Sequence, residues 1–287
     1  MSSAAIDKKR GKAKLLPIII GLISLLAFMQ LAGAFKSKIE FSSYTIESKK
    51  IPSPIRIIAV CDLHDRLSEE EIPLMCEKIA FYKPDAIMMC GDIFDEGRDH
   101  SNSLALISEL SKSSPVFYVT GNHEYNTKEA DKLKRKASLA GACVLDGDRA
   151  SLDCGGGLIY VYGVDDKNSG SFFSQLKTCG SALDASSYSI LLSHRPEYTG
   201  FYTAYGFDLA ICGHAHGGQW RLPRVLNGLY SPGQGLFPKY TSGLYYDAGK
   251  IMAVSRGLSD VPKHVPRIFN PPEIMVIDLQ PEKKQID

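Results

Sequence analysis

The sequence predicts an α/β domain in which short buried strands alternate with amphipathic helices. Five apolar runs share one format, since each ends in polar residues or glycine: Ile55–Asp62, Asp85–Asp92, Pro115–His123, Tyr188–His194 and Asp208–His214. Continuous apolar runs of this kind are typical of strands that are covered on both faces. Between the runs, apolar residues recur at helical spacing, which is the second observation behind the prediction.

Helices are predicted where apolar residues form one stripe. The first covers Glu69–Tyr82, the second lies around Leu104–Leu110, and the third covers Lys128–Ala140, with Gly141 as its stop signal. The third helix is rich in charged residues, so we expect it to be exposed.

A β-rich section and a final strand complete the domain. Val144–Asp166 contains the dipeptide Asp146-Gly147, which is typical of tight turns, so this section predicts a hairpin or meander. Glu273–Leu279 is apolar and predicts a last strand before a charged terminus. The order of elements therefore predicts α/β with a β-rich insertion.

An uncharged run, Leu15–Phe35, precedes the domain. As a helix it would span about 30 Å, the hydrocarbon thickness of a bilayer. The sequence thus predicts a basic tail at 1–14, a transmembrane anchor at 15–35, a linker at 36–50 and one domain at 51–287. Ala32-Gly33-Ala34 fits a signal cleavage site, so a cleaved signal peptide is the alternative.

Charge is divided unevenly along the chain. The formal net charge is +1, yet residues 1–38 contain seven Lys or Arg and one Asp, so the remainder is acidic overall. An acidic domain argues against a nucleic-acid partner. The basic flank before the apolar run favours a cytoplasmic N-terminus, a membrane location and an extracytoplasmic domain. Seven cysteines without a CxxC pair argue against a zinc ribbon or a disulfide framework.

The ends of the five strands carry residue types that bind metal ions. In chain order they are Asp62-Leu63-His64, Gly91-Asp92-Ile93-Phe94-Asp95, Gly121-Asn122-His123-Glu124, Ser193-His194 and Gly213-His214-Ala215-His216. Each motif alone is commonly a turn or a structural histidine, but five together at strand ends predict a site. Imidazole, carboxylate and amide oxygen suit Mn, Fe or Zn. Two such ions about 3.5–4 Å apart can hold a phosphate and generate hydroxide near neutral pH.

The motif series D-x-H, G-D-x-x-D, G-N-H-E, H and G-H-x-H, from Asp62 to His216, resembles the calcineurin-like metallophosphoesterase superfamily. The resemblance implies a four-layer αββα sandwich and two divalent metal ions with Asp92 as their bridge. It implies the ligands Asp62, His64, Asp92 and His216 for one ion, and Asp92, Asn122, His194 and His214 for the other. It also implies that His123 protonates the leaving alkoxide and that Asp95 orients His123.

The subfamily can be narrowed further by resemblance. Phosphoprotein phosphatases of the superfamily carry Arg where this chain has Glu96 and Thr120, which argues against that activity. The apolar N-terminal run, Gly163–Asp166 and the segment that follows Gly213 are similar to bacterial membrane-associated phosphodiesterases. Some relatives in that branch cleave the pyrophosphate of UDP-diacylglucosamine.

These observations predict a membrane-anchored, dinuclear metal-dependent phosphoesterase that uses a metal-bound hydroxide. Its expected partners are the membrane and a phosphate-ester substrate, with lipid-linked or cell-envelope-linked esters as candidates. Arg195 is the candidate substrate contact, with a structural arginine as the alternative. The alternatives for the whole protein are a lipid-directed pyrophosphatase of a nucleotide-sugar and a non-catalytic membrane scaffold. The complete ligand set argues against the scaffold.

Overall fold

Two six-stranded mixed sheets form the centre of the computed structural model, which describes residues 38–222, 224–259 and 267–282 together with Gly21 and Ser24. The first sheet contains, in spatial order, β1 (Glu40–Ser48), β14 (Glu273–Pro281), β2 (Ile55–Val60), β3 (Ala86–Cys90), β4 (Val116–Val119) and β5 (Ala142–Val144). The second contains β12 (Gly243–Asp247), β13 (Lys250–Val254), β9 (Leu209–Cys212), β8 (Tyr188–Leu192), β7 (Leu158–Gly163) and β6 (Arg149–Asp153). A separate ribbon pairs β10 (Tyr230–Ser231) with β11 (Gly235–Leu236).

Six helices accompany the sheets in the described part of the chain. They are α1 (Glu71–Phe81), α2 (Ser101–Ser111), α3 (Asn122–Asn126), α4 (Ala130–Leu139), α5 (Phe172–Ser181) and α6 (Thr199–Tyr205). The predicted helices at 69–82 and 128–140 are confirmed to within two residues. Gly141 follows α4 with a φ of 106°, which glycine adopts readily.

The hydrophobic core is divided into three layers. The central layer lies between the two sheets and includes Ile57, Met88 and Ile190. A second layer packs α1, α2 and α4 against the first sheet, and a third packs α5 and α6 against the second sheet. The architecture is therefore α/β with helices outside two packed sheets, as the resemblance implies.

Parallel strands at the middle of each sheet set the direction of the loops that follow them. β2, β3, β4 and β5 run parallel in the first sheet. In the second sheet, β7, β8, β9 and β13 run parallel. Their carboxyl ends therefore point to one end of the sandwich, where open α/β folds place their sites.

The prediction of a linker at 36–50 is wrong for residues 40–48. Residues 40–48 form β1, which pairs with β14 in parallel over its whole length. Most β1 side chains are exposed or half-exposed, so the strand lacks the apolar run by which the others are recognised. The domain therefore includes residues that precede Ile51.

The turn at Asp146-Gly147 also differs from the expected hairpin. It joins β5 of the first sheet to β6 of the second, while the hairpin itself is formed by β6 and β7. The chain thus changes sheets at this turn, which a local turn motif does not reveal.

The predicted anchor at 15–35 lies outside the described residues, apart from Gly21 and Ser24. In the described part of the chain, no helix has the length and apolarity needed to cross a bilayer.

A charged cluster joins the two sheets at the end opposite the strand carboxyl termini. The Asp208 carboxylate, just before β9, accepts hydrogen bonds from Lys50 Nζ at 3.0 Å and Lys250 Nζ at 2.8 Å. It also accepts from the backbone N–H and hydroxyl of Ser189. Burial acts to raise the pKa of Asp208, but both lysines outweigh it and hold that pKa below its usual value.

Candidate metal centre

The carboxyl ends of strands from both sheets meet at one end of the sandwich. Within the first sheet, the His64 backbone N–H donates to Asp92 O at 2.9 Å. Between sheets, the His194 ring donates from Nδ1 to Cys90 O at 2.8 Å, and the His214 backbone N–H donates to Asp62 Oδ1 at 3.1 Å. These bonds fix loops from separate strands against one another, so their side chains converge.

Five of the proposed ligands hold the backbone in the left-handed region. The φ angles are 52° for Asp62, His64 and Asp92, 66° for His214 and 45° for His216. Residues other than glycine adopt this conformation at a cost of about 1–3 kcal/mol each, and such strain clusters at functional sites. The surrounding hydrogen bonds must therefore be strong enough to hold these side chains in place.

The donor atoms form two neighbouring groups. Asp62, His64 and His216 offer ligand atoms within 4.8 Å of one another, and Asp92, His194 and His214 form a second such group; all six residues are buried. Asp92 Oδ2 lies 3.7 Å from His64 Nε2 and 3.1 Å from His194 Nε2. This carboxylate oxygen therefore faces both groups, which is the position that a bridging ligand requires.

Several buried donor atoms at this place have no hydrogen-bond partner among the described residues. They are His64 Nδ1 and Nε2, Asp92 Oδ2, Asn122 Oδ1, His194 Nε2 and His216 Nδ1. An unpaired buried polar group costs about 1–3 kcal/mol in stability. Six such atoms in one place therefore indicate a binding site rather than a purely structural role. Imidazole nitrogens with carboxylate and amide oxygens fit divalent ions of the Mn, Fe and Zn type.

The electrostatics of the two groups also suits cations. Burial acts to raise the pKa of Asp92, yet the neighbouring His194 and His64 hold it well below its usual value. Burial lowers the pKa of His214 and His216 well below the usual value, and nearby cationic side chains add to this effect. His214 and His216 are therefore held in the neutral form that binds metals, beside an ionised Asp92. Burial also acts to lower the pKa of His194, but the charges of Asp92 and Asp62 outweigh it and raise that pKa well above its usual value, so metal binding there requires release of a proton.

His123 and Asp95 form a hydrogen-bonded pair at the rim of the centre. The His123 ring donates from Nδ1 to Asp95 Oδ1 at 2.7 Å, and its edge meets the His64 ring with centroids 4.4 Å apart. Burial acts to lower the pKa of His123, but Asp95 and the charge of Asp92 outweigh it and raise that pKa. His64, Asp95 and His123 also lie close enough to hold a cation, but the short Asp95–His123 bond already satisfies two of the three.

Arg195 lies beside the second group in a fixed orientation. Its Nε and Nη2 donate to the buried Asp166 carboxylate at 2.6 and 3.1 Å, while Nη1 lies 3.3 Å from His214 Nε2. The Tyr202 hydroxyl donates to the Arg195 carbonyl at 2.6 Å. Arg195 therefore forms a structural ion pair with Asp166, and its Nη1 lies beside the second group of donor atoms. Its role as a substrate contact stays a prediction.

Glu124 organises the loops more strongly than its place in the G-N-H-E motif indicates. Its buried carboxylate accepts four backbone N–H bonds, from Asp92 at 3.0 Å, Ile93 at 2.7 Å, Phe94 at 3.1 Å and Gly121 at 2.7 Å. Burial and the Asp92 charge raise the pKa of Glu124 to about 7, while these N–H groups act in the opposite direction. One side chain therefore holds the loops that carry Asp92 and Asn122.

Sequence reasoning missed two residues that support the centre. Asp65 accepts the Asp95 backbone N–H at 2.8 Å and also binds the His100 ring at 2.8 Å. Gly257 follows β13 with a φ of 68°, and a Cβ placed there would lie 2.5 Å from Asp62 Oδ2. Neither residue belongs to a ligand motif, so only the folded arrangement reveals these contacts.

An αββα sandwich with clustered carboxylates and imidazoles at one end defines a metal-binding hydrolase architecture. The chain belongs to the calcineurin-like phosphoesterase family, because the family model matches residues 55–218, more than half of the chain. The protein is therefore a metal-dependent phosphoesterase.

Similar proteins agree with this assignment. A Campylobacter jejuni metallophosphoesterase, Cj0846, is 28% identical over 92% of this chain and 69% of its own length. The Escherichia coli phosphodiesterase YaeI is 26% identical over 79% of this chain and 83% of its own. The crystal structure of TT1561 from Thermus thermophilus matches 72% of this chain and 92% of its own, with a TM-score of 0.51 and 14% identity. The last match shows the fold alone.

Proposed function

We propose that the protein is a dinuclear phosphoesterase that hydrolyses a phosphodiester or a related phosphate ester. The observation that carries this proposal is the set of unpartnered buried donor atoms on both sides of Asp92 Oδ2. The phosphodiesterase YaeI, which is similar over most of this chain, supports the choice of a diester.

In this proposal, two cations are held by residues from both sheets, with Asp92 shared. One would be held by Asp62, His64, Asp92 and His216, and the other by Asp92, Asn122, His194 and His214. Divalent ions at these positions supply Lewis-acid polarisation of the phosphate and a water of lowered pKa. The identity of the metal, Mn, Fe or Zn, stays a prediction.

The chain's own groups complete the chemistry. His123 donates a proton to the departing alkoxide from Nε2, because Nδ1 is held by Asp95. Asp95 positions that ring and favours its protonated form. Arg195 Nη1 would contact a phosphate oxygen, since Nε and Nη2 are held by Asp166 and Nη1 has only a long contact, at 3.5 Å, with Glu197 beside its approach to His214.

The structure supports an ester other than a phosphoprotein. Thr120 is fully buried, and its hydroxyl donates to Asp165 Oδ1 at 2.8 Å. This position therefore offers no cation to a phosphorylated protein substrate, in contrast to the Arg that protein phosphatases carry there.

The test is hydrolysis of a bis-aryl phosphate by the purified full chain after loading with Mn²⁺, Fe²⁺ or Zn²⁺. We expect His123→Ala to lower turnover by about 10²–10⁴-fold while the bound metal stays unchanged. His194→Ala is the matched comparison and should lose metal as well as activity. Failure of the loaded wild type to cleave aryl phosphate diesters and monoesters would refute the proposal.

We further propose that Leu15–Phe35 anchors the protein in a membrane, with the catalytic domain on the extracytoplasmic side. The support is the uncharged run and the basic residues before it. Cys143 is exposed, whereas the other six cysteines are buried or half-buried. A membrane-impermeant maleimide should therefore label intact cells at Cys143, and Cys143→Ser should remove the signal. Labelling that appears only after lysis would contradict this topology.

A further inference from the structure

An exposed apolar surface lies beside the metal centre. Two short turns follow His216: one is closed by Leu222 and Leu226, and the other is the ribbon of β10 and β11. Their exposed apolar side chains, which we call the rim surface, are Trp220, Leu222, Val225, Tyr230, Leu236 and Phe237. Val225 is 78% exposed, Phe237 68% and Leu236 67%. Exposed apolar residues concentrated on neighbouring turns in this way are typical of an interaction site.

The segment that carries the rim surface has side-chain charges of a single sign, although the Glu197 carboxylate, which pairs with Arg195, packs against Gly233 of the ribbon. From Gly217 to Tyr246 the sequence contains no Asp or Glu, but it contains Arg221, Arg224 and Lys239. Arg224 and Lys239 are exposed. The segment is therefore basic and aromatic within a domain that is acidic overall. Tryptophan, tyrosine and basic side chains next to apolar ones are typical of surfaces that bind the interface of an anionic bilayer.

The rim surface is tied rigidly to the proposed ligands. The side-chain amide of Asn270 donates to His216 O at 2.7 Å and to Gln219 O at 3.1 Å. A Cβ at Gly217 would lie 2.1 Å from Asn270 Oδ1, so the turn between ligand and rim is packed without room for a side chain. The rim surface therefore has a fixed orientation relative to the metal centre, and so does any partner that binds to it.

The described chain enters on the same side of the molecule. The Glu40 backbone N–H donates to Pro272 O at 2.8 Å, and the Arg221 backbone N–H donates to Ile268 O at 2.9 Å. The stretch from Ile268 to Pro272 therefore braces both the rim and the start of β1. The apolar run that predicts a membrane segment ends at Phe35, only a few residues before Glu40. A short tether would hold this side of the domain close to the bilayer.

We propose that the rim surface lies on an anionic lipid bilayer and turns the metal centre towards the membrane. This inference deepens the proposed function and rests on it in one respect, the route of the substrate. If the protein is the phosphoesterase proposed above, its ester reaches the metal centre from the lipid phase, with the phosphate at the headgroup level. A second copy of the chain is the other candidate occupant, but it would not account for the position of the chain entry.

Trp220 is a built-in probe, because it is the only tryptophan in the sequence. The full chain is reconstituted into vesicles of phosphatidylcholine and phosphatidylglycerol, with or without bromine atoms at a shallow acyl position. We expect brominated lipid to reduce the Trp220 emission. Unchanged emission of the wild type would overturn the proposal without any variant, as would a dimer in which Trp220 is shielded from lipid.

Two double variants locate the contact. Val225→Glu with Phe237→Glu should lose the quenching by brominated lipid. The matched control is Leu139→Glu with Leu158→Glu, which alters side chains that are 89% and 44% exposed elsewhere and adds the same charge. The control should keep both the quenching and the hydrolysis of a soluble bis-aryl phosphate. Loss of quenching only in the control double would place the contact on α4 and β7 and contradict the proposal.

The two proposals fail separately. If the wild type cleaves the soluble ester but brominated lipid leaves Trp220 unaffected, the lipid contact is wrong and the proposed function stands. If brominated lipid quenches Trp220 but no ester is cleaved under any metal loading, the proposed function is wrong and only the lipid contact remains.

Discussion

Gly257→Ala tests whether backbone packing behind Asp62 controls metal binding. Gly257 lies in the loop after β13. The two residues that follow it are hydrogen-bonded to the backbone around Asp62, and the Ser259 N–H donates to Asp62 O at 2.9 Å. A Cβ on Gly257 would lie 2.5 Å from Asp62 Oδ2 and 2.6 Å from Asp62 Cβ. The proposed ligand must therefore move if the glycine is replaced.

Gly249→Ala is the matched control, because it separates this clash from backbone strain. Gly249 precedes β13 with a φ of 75°, close to the 68° of Gly257, but a Cβ there would meet nothing within 4 Å. The strain of a left-handed alanine, about 1–2 kcal/mol, is common to both variants. Only Gly257→Ala adds the overpacking cost, about 1–3 kcal/mol.

The assays are denaturant unfolding and metal titration of the purified variants. We expect Gly257→Ala to unfold about 2–4 kcal/mol more easily and to bind metal about 10–100-fold more weakly, the effect usual for a displaced ligand support. Gly249→Ala should lose about 1 kcal/mol and keep its metal affinity. Equal metal affinities in the two variants would refute the assignment of Asp62 as a ligand held by this loop.

Three further outcomes are expected. Glu124→Gln should destabilise the protein by about 2–4 kcal/mol in urea unfolding, because two of the four backbone N–H groups would face an amide NH2. The control Glu129→Gln, at an exposed position, should change the stability by less than about 0.5 kcal/mol. Equal losses in the two variants would contradict the role of Glu124. Asp95→Asn should lower kcat by about 10²–10⁴-fold with the metal content unchanged, since His123 loses its orienting carboxylate. Loss of metal from this variant would contradict the role of Asp95 as the residue that orients His123. Asp208→Asn should cost about 1–3 kcal/mol at neutral pH. The pKa of Asp208 is lower in the folded protein than in the unfolded chain. The stabilisation that the Asp208 carboxylate gives is therefore complete above the unfolded pKa, near 4, and is lost as the pH falls through the folded pKa. A wild type that stays more stable than Asp208→Asn at the lowest pH would contradict this direction.

The convergence of the candidate metal-binding residues was predictable from sequence, because these residues follow recognisable strands. The runs that end at Asp62, Asp92 and His194 are buried on both faces and are apolar apart from Arg56 and Ser189 near their starts, so they stand out. Parallel neighbours then bring their carboxyl ends together without further information. The fold class and the convergence of the ligand motifs required little more than this pattern.

The supporting residues were not predictable, because their roles depend on contacts between distant segments. β1 is a polar edge strand, and it is recognised only by its pairing with β14. Asp65 and Gly257 act through hydrogen bonds or close approach to residues far along the chain. A single carboxylate or glycine outside a motif carries no local signal of such a partner.

The central claim is a two-metal centre bridged by Asp92, and metal content measures it most directly. Elemental analysis of the purified full chain should find two divalent ions per chain, and Asp92→Asn should lower the occupancy of both positions. Asp95→Asn should retain both, because Asp95 is already hydrogen-bonded to His123. A wild-type chain that binds no metal, or an Asp92→Asn variant that keeps two tightly bound ions, would contradict the account.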